Sequence, residues 1–188
     1  MRTVVDVITL SSIAYVGTMI DNFFAFSAQL LVTDRARYRR VGIAQAIGVT
    51  LLFIVAAAVG SVLSTVPAQW SGLFCLAPWS LAWRTWHHRN ADERPQFRRG
   101  AITTLLVTIA LGGDNLGVWI PLLRSENVLH QAVTALVFAG WDVLFLASAR
   151  ALTGHPRVVT WGSTHSRSVT PWIYVALGFL ILVESGLL

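Results

Sequence analysis

Long apolar segments, separated by short polar ones, are the feature that most limits how this chain can fold. Six of them are long enough to cross a bilayer as helices: residues 7–32, 41–64, 70–86, 100–123, 131–152 and 171–187. Each is far longer than the roughly nine to eleven residues of a membrane β-strand. Only 12% of the 188 residues are charged, whereas about 25% is usual for a soluble domain. The sequence therefore predicts an all-α integral membrane protein with six transmembrane helices.

The basic residues are unevenly distributed among the polar segments. All 14 are arginine, and all except Arg2 and Arg124 lie in or at the edges of the three polar segments that follow the first, third and fifth apolar segments. Cytoplasmic loops of membrane proteins carry the excess of Lys and Arg. We therefore expect both termini outside, in the cytoplasmic (inner) membrane of a bacterial-type cell. Because topology accounts for the net charge of +5, we expect the lipid bilayer and no nucleic acid as a partner.

The longest polar segment, about residues 87–99, divides the chain into two halves with three apolar segments each. Because three is odd, the second half enters the bilayer from the side opposite to the first, which makes related halves an inverted repeat. We predict a single transmembrane domain over residues 1–188, with repeat one at about 1–86, a cytoplasmic loop, and repeat two at about 100–188.

A shared motif supports this division. Asp21-Asn22 lies in the first segment of the first half, and Asp114-Asn115 lies in the first segment of the second half. Each aspartate is 14 or 15 residues from an arginine at the cytoplasmic end of its segment, Arg35 or Arg99. At 1.5 Å per residue this distance is about 20 Å, which is near the middle of the bilayer.

Acidic residues inside the apolar segments are the main candidates for function, because an ionised side chain at mid-membrane costs about 2.5–3.5 kcal/mol on insertion scales. Four occur, namely Asp21, Asp114, Asp142 and Glu184. No arginine has a comparable depth in the sequence, so we expect no salt bridge to neutralise them. They must then be protonated or balanced by a bound cation. A protein that uses both states would exchange a cation for protons.

The two Asp-Asn pairs would together form a site of carboxylate and amide oxygens, which suit a divalent cation. We predict the following metal ligands: Asp21, Asn22, Asp114 and Asn115. Other residues are expected to support them: Asp142 and Glu184 in proton coupling or around the ligands, Thr18, Gln45 and Thr108 along the path, and Gly17, Gly112, Gly113 and Pro121 where helices bend or break. The residues leave an alternative open, in which these polar groups only hydrogen-bond neighbouring helices.

Cysteine and histidine give weaker signals. The single cysteine, Cys75, cannot form an intramolecular disulfide, which excludes an enzyme that passes reducing equivalents through a cysteine pair. Cys75 is either a small hydrophobic residue or a soft metal ligand. We expect all five histidines in loops, where they are solvated or collect metal: His87, His88, His130, His155 and His165.

Several segments resemble the cadmium-resistance transporter family of the lysine-exporter superfamily: TMIDNFFAF, the Gln45–Gly48 segment, LAPWSLAW, IALGGDNLGVWIPLL and LGFLILVESG. The resemblance covers essentially the whole chain, and GGDN followed by an IPL-type ending is its most specific element. It implies inverted halves of three helices and a secondary transporter, not an enzyme. Its substrate would be a divalent metal exported in exchange for protons, namely cadmium, zinc or manganese, and no cofactor is expected.

Two points leave the metal open. The family often has Asp-Asp where this chain has Asp21-Asn22, so one negative charge is missing. Cadmium is also a soft ion that favours thiolate, whereas the predicted site offers mainly oxygen. Export of a small amino acid, as in the wider superfamily, is the alternative; it predicts a cationic group for the substrate carboxylate. The sequence does not decide whether the chain forms a homo-oligomer.

Overall fold

The structure, a computed structural model, describes residues 3–65, 73, 75–87 and 100–184. The described residues form helices joined by turns, which confirms the predicted all-α class. In chain order the α-helices are α1 (Val4–Leu31), α2 (Tyr38–Leu63), α3 (Leu76–His87), α4 (Ala101–Leu111), α5 (Gly113–Arg124), α6 (Val128–Leu152) and α7 (Pro156–Glu184), with one 3-10 turn (Arg35–Arg37) before α2.

Three helical segments are long and apolar enough to cross a membrane: α1, the segment Arg35–Leu63 that contains α2, and α6. The α4–α5 pair, which is bent by 59°, gives a fourth if it is counted as one span. These segments correspond to the predicted first, second, fifth and fourth spans, so the chain is a multi-pass membrane protein. The third predicted span is represented by the 12-residue α3, and its first part lies outside the described residues, as does the central polar segment after His87.

The sixth predicted span differs most from expectation. The helix α7 begins at Pro156, well before the predicted start at residue 171, and Pro171 lies inside it. Its continuous apolar part is Ser168–Phe179, and residues 185–187 lie outside the described part. Proline suits the first turn of a helix because its missing N–H has no intrahelical partner there. The hydroxyl of Thr160 then donates to the Pro156 carbonyl at 3.0 Å, so this polar stretch is accommodated within the helix.

The expectation that all histidines lie in loops is therefore wrong for three of them. His165 lies inside α7, His130 lies in the first turn of α6, and His87 is the last residue of α3. The ring nitrogen of His165 contacts the Trp161 carbonyl one turn earlier at 2.9 Å, which is compatible with a helical position. His155 lies in the turn before α7, and His88 is outside the described residues.

The helices of the two halves pack against each other in a crossed pattern. α1 packs along α6 and α7, α2 packs along α4 and α5, and α3 packs along α7. Aromatic side chains from three helices meet at the centre, where Trp119 lies 4.8 Å from Phe138 and 6.3 Å from Tyr15 between ring centroids. These rings fix α5 against α1 and α6, and α5 carries the predicted Asp114-Asn115 pair.

Candidate functional site

The bend between α4 and α5 is at Gly112, two residues before the second Asp-Asn pair. The amide of Gly112 donates to the Thr108 carbonyl at 2.8 Å and closes α4, and the amide of Asn115 donates to the Gly112 carbonyl at 3.1 Å and opens α5. The backbone of Gly112 has φ −77° and ψ −6°, which any residue can adopt. A side chain is excluded by space instead, because a Cβ at Gly112 would overlap Leu52 Cδ1 of α2.

Gly113 is the first residue of α5, at the break, whereas the two other residues predicted to bend helices are within continuous helix. Gly17 lies inside α1, and Pro121 lies inside α5. At Gly17 the missing side chain allows close packing, since a Cβ there would lie 2.8 Å from Ile173 Cγ2 of α7. The two halves therefore present their Asp-Asn pairs differently: the first lies in an unbroken helix, and the second lies at the start of a new one.

The predicted amide ligands from the two halves meet at one sulfur atom. Asn115 Nδ2 donates to Met19 Sδ at 3.1 Å, and Asn22 Nδ2 donates to the same sulfur at 3.5 Å. All three residues are buried, with 1% exposure for Asn115, 5% for Asn22 and 2% for Met19. The sequence identified the two asparagines but not Met19. Its position three residues before Asn22, one helical turn away, was the signal available.

The two aspartates each directly precede one of these asparagines in sequence. Asp21 is partly buried, and its Oδ1 is a buried oxygen without a hydrogen-bond partner in the described part of the chain. Asp114 is partly exposed in the first turn of α5, where a negative charge is favoured by the helix dipole. Asp21 and Asp114 lie within electrostatic range of each other and of the Tyr174 hydroxyl in α7. The acids of the two halves are therefore on the same side of the α1–α5 contact as Tyr174.

The expectation that no arginine reaches these acids is wrong for Asp114. Arg84 Nη1 lies 4.0 Å from Asp114 Oδ1, and the side-chain exposures are 72% and 39%. Arg84 lies in the last turn of α3, which packs against α5. Its long aliphatic stem lets the guanidinium reach a group away from its own Cα. Because the pair is exposed and at the distance limit of an ion pair, it contributes about 0–1 kcal/mol.

A column of polar side chains leads from the arginine-rich side of the bundle toward the site. Gln29 Nε2 donates to Thr104 Oγ1 at 2.7 Å, and Thr108 Oγ1, one turn further along α4, donates to Gln45 Oε1. These side chains are buried, and the Nε2 of Gln45 has no hydrogen-bond partner in the described residues. The predicted path residues Gln45 and Thr108 thus contact each other directly.

A cavity of about 500 Å³ opens at the end of this column. It is lined by residues from the turn between α1 and α2 and from the start of α4, including Thr33, Arg40 and Thr103. The third path residue, Thr18, lies apart from it: its Oγ1 accepts from Trp119 Nε1 at 3.1 Å. The hydrogen bond of Thr18 therefore joins α1 to α5, and Thr18 directly precedes Met19 in sequence.

Asp142 lies on a second polar line, along the interface of α1 and α6. It is 7% exposed, and its Oδ1 accepts from the Tyr15 hydroxyl at 3.0 Å. One turn along α1, Ser11 and Thr134 exchange a 2.8 Å hydrogen bond, and Thr134 contacts both carboxylate oxygens of Glu126 at 2.9 and 3.0 Å.

Glu126 is a buried acid, with 8% exposure, that the sequence analysis did not select. It lies in the short polar segment between α5 and α6, so its local sequence resembles an exposed loop.

Of the remaining predicted residues, Glu184 is the last residue of α7, and its side chain is not among the described ones. Cys75 is a buried free cysteine. Among the described residues, no three His, Cys, Asp or Glu side chains are grouped so that they could hold a metal ion.

Comparison with known proteins identifies the family. The family model of the cadmium resistance transporter matches residues 15–188, which includes both Asp-Asn pairs and all of the helices except the beginning of α1. No curated protein and no solved structure matches the chain. Since the family model covers nearly the whole chain, the protein belongs to the cadmium resistance transporter family.

Proposed function

We propose that this chain is a secondary transporter that exports divalent heavy-metal cations, with cadmium first and zinc or manganese as further substrates, from the cytoplasm in exchange for protons. Family membership supports metal efflux. The proposed binding site is at mid-membrane and consists of Asp21, Asn22, Asp114 and Asn115. It needs no resident cofactor, since the metal is the transported substrate.

The observation that carries the site is the convergence of both halves. The buried amides of Asn22 and Asn115 approach one atom, the Met19 sulfur, at 3.5 and 3.1 Å. Next to Asn22 in sequence, Asp21 has a buried Oδ1 with no hydrogen-bond partner among the described residues. A buried unpaired carboxylate oxygen is costly, and a cation would satisfy it. Two carboxylates provide the charge for one divalent ion, and amide oxygens add neutral ligands.

We further propose that six helices cross the membrane as two inverted halves, with both termini outside, in the inner membrane of a bacterial-type cell. The crossed packing supports this arrangement. If the α4–α5 pair corresponds to α1, α6 to α2 and α7 to α3, then the contact of α1 with α6 is the counterpart of the contact of α4–α5 with α2. The contact of α3 with α7 is its own counterpart. This is the pattern that a two-fold axis between the halves would produce.

Proton coupling is assigned to Asp142. It is buried, it belongs to α6 rather than to the helices of the metal site, and the Tyr15 hydroxyl donates to it. Tyr15 lies one turn from Met19 on α1, so a change at the metal site is close enough to alter this hydrogen bond. A group that binds a proton beside, and not within, the metal site can couple the two fluxes without competing for the same oxygen.

Flux into proteoliposomes tests the proposal. The panel is cadmium, zinc, manganese and lysine, each measured with and without a pH gradient. We expect at least one divalent metal to move faster with the gradient, and we expect Asp21→Asn and Asp114→Asn to abolish this flux. Asp6→Asn is the matched control, because Asp6 is an exposed acid in the first turn of the same helix as Asp21, where its Oδ2 accepts from the Thr3 amide at 2.8 Å.

Two results would contradict the proposal. Lysine transport without metal flux would favour the amino-acid exporter. Unchanged metal flux in both Asp21→Asn and Asp114→Asn would remove the assigned site while leaving the transport function.

A further inference from the structure

We propose that the Met19 thioether is itself a ligand of the transported ion and gives the site a preference for soft divalent cations, such as cadmium, over hard ones, such as manganese. This inference rests on the proposed metal site. It adds a fifth ligand to that site, and it addresses the poor match between cadmium and a site made only of oxygen atoms.

The position of the sulfur carries the inference. Met19 comes from α1 and is 2% exposed, and its Sδ receives the amide groups of Asn22 from its own helix and Asn115 from α5. Asp21 and Asp114 are adjacent in sequence to these two asparagines. The thioether therefore lies where the two amide side chains of the proposed site meet, and it belongs to the only methionine besides Met1.

The contacts of the sulfur are of a kind that a metal can replace. A thioether is a weak hydrogen-bond acceptor, so the two N–H···S contacts hold the amides in place at little cost to their later release. When each asparagine turns its carbonyl oxygen toward an ion, the sulfur is left facing the same ion. Because the thioether is neutral, the charge of the two aspartates still balances one divalent cation.

Ligand softness then determines which ion gains. Thioether sulfur favours soft cations, whereas manganese and magnesium prefer carboxylate, carbonyl and water oxygen. Cadmium therefore gains binding free energy from Met19 that manganese does not. The neutral Asn22, in place of a second aspartate, acts in the same direction because it lowers the negative charge that a hard ion would use.

The competing role for Met19 is packing, since it also belongs to the buried apolar cluster around Tyr15 and Trp119. Methionine commonly fills irregular gaps in a core. The variant Met19→Leu separates the two roles, because this exchange nearly conserves volume and usually costs less than about 1.5 kcal/mol while it removes the sulfur. Leu30→Met is the matched control: Leu30 is on the same helix with 1% exposure, and its replacement adds a thioether away from the site.

The experiment uses the full chain in lipid nanodiscs and measures competitive binding of cadmium and manganese. We expect Met19→Leu to lower the ratio of cadmium to manganese affinity by about tenfold or more, through cadmium alone, and Leu30→Met to leave the ratio unchanged. ¹¹³Cd NMR gives a direct reading, because the resonance of the bound ion should move upfield when its sulfur ligand is lost.

An unchanged affinity ratio and an unchanged ¹¹³Cd resonance in Met19→Leu would overturn the inference and leave the proposed function intact. If the wild-type chain bound neither metal, both would fail. If Met19→Leu does not fold, the experiment uses the wild-type chain with selenomethionine in place of methionine. Selenium-edge X-ray absorption should then show cadmium as a direct neighbour of selenium, and its absence would overturn the inference.

Discussion

Replacing Gly112 with alanine should damage the protein, whereas the same change at the adjacent Gly113 should not. An added Cβ at Gly112 would overlap Leu52 Cδ1 and lie 3.2 Å from Leu52 Cδ2 and 2.7 Å from the Thr108 carbonyl oxygen. At Gly113 an added Cβ meets no atom within 4 Å. The two glycines are neighbours in the GGDN motif. Comparing the two alanine variants therefore shows whether glycine is needed at position 112 for lack of space or for backbone freedom.

The size of the effect follows from these contacts. Inserting a methyl group into a tightly packed site costs about 1–3 kcal/mol, which for a chain of this length corresponds to a fall of roughly 2–12 °C in melting temperature. The Gly112 backbone adds no strain of its own, because its φ of −77° suits alanine. Gly113→Ala should instead raise stability slightly, by up to about 1 kcal/mol, since alanine has the higher helix propensity.

Metal binding should also be weakened by Gly112→Ala and not by Gly113→Ala. The Leu52 side chain can rotate, but relief of the contact with the Thr108 carbonyl oxygen shifts the start of α5, and Asp114 and Asn115 move with it. Each 1.4 kcal/mol of metal-binding free energy lost in this way weakens affinity about tenfold. Thermal unfolding in detergent, together with cadmium binding, measures both effects for each variant.

The double variant Gly112→Ala/Leu52→Val tests the cause. A smaller side chain at position 52 removes the overlapping Cδ1 and should restore part of the stability, although the contact with the Thr108 carbonyl oxygen remains. Equal losses in Gly112→Ala and Gly113→Ala, or no restoration in the double variant, would refute the argument that close packing sets the bend.

Three further predictions concern charged and polar groups around the site. Arg84→Gln should tighten metal binding, because it removes a cation that competes for Asp114. The gain should be no more than about fivefold, since the exposed Arg84–Asp114 ion pair contributes only about 0–1 kcal/mol. Weaker metal binding of Arg84→Gln, measured by isothermal titration calorimetry, would contradict this. Asp142→Asn should abolish the acceleration of metal flux by a pH gradient and leave equilibrium metal binding unchanged. Tyr15→Phe should reduce that acceleration only in part. Gradient-driven flux at the wild-type rate in Asp142→Asn would exclude Asp142 as the coupling group. Glu126→Gln should lower thermal stability by about 1–3 kcal/mol through the loss of charge-assisted hydrogen bonds, and an unchanged melting temperature would show that this buried acid does not stabilise the fold.

Hydropathy was sufficient to predict an all-helical membrane protein and the positions of three of its spans, or four if the bent α4–α5 pair is counted as one span. These properties depend on composition over about 20 residues, which the bilayer selects directly. The boundaries of α7 were not predictable in the same way. The stretch from Pro156 to Pro171 is polar, and its helical state depends on local capping and on hydroxyl-to-carbonyl contacts such as that of Thr160 with Pro156.

The candidate site shows the same division. The Asp-Asn pairs were recognisable because charged and amide groups are rare in apolar segments. The role of Met19 was hidden because a methionine in an apolar run is ordinary, and only the approach of α5 to α1 places Asn115 against its sulfur. The contact of Arg84 with Asp114 was not predicted because sequence depth records where a Cα lies and not how far a long side chain extends.

The most direct test of the central claim is equilibrium binding of radioactive cadmium to the purified chain in nanodiscs, compared among wild type, Asp21→Asn, Asp114→Asn and the exposed control Asp6→Asn. A site shared by the two halves predicts saturation near about one ion per chain for wild type and the control, and loss of that ion when either mid-membrane aspartate is changed. Full saturation in a chain that carries both Asp21→Asn and Asp114→Asn would contradict the claim.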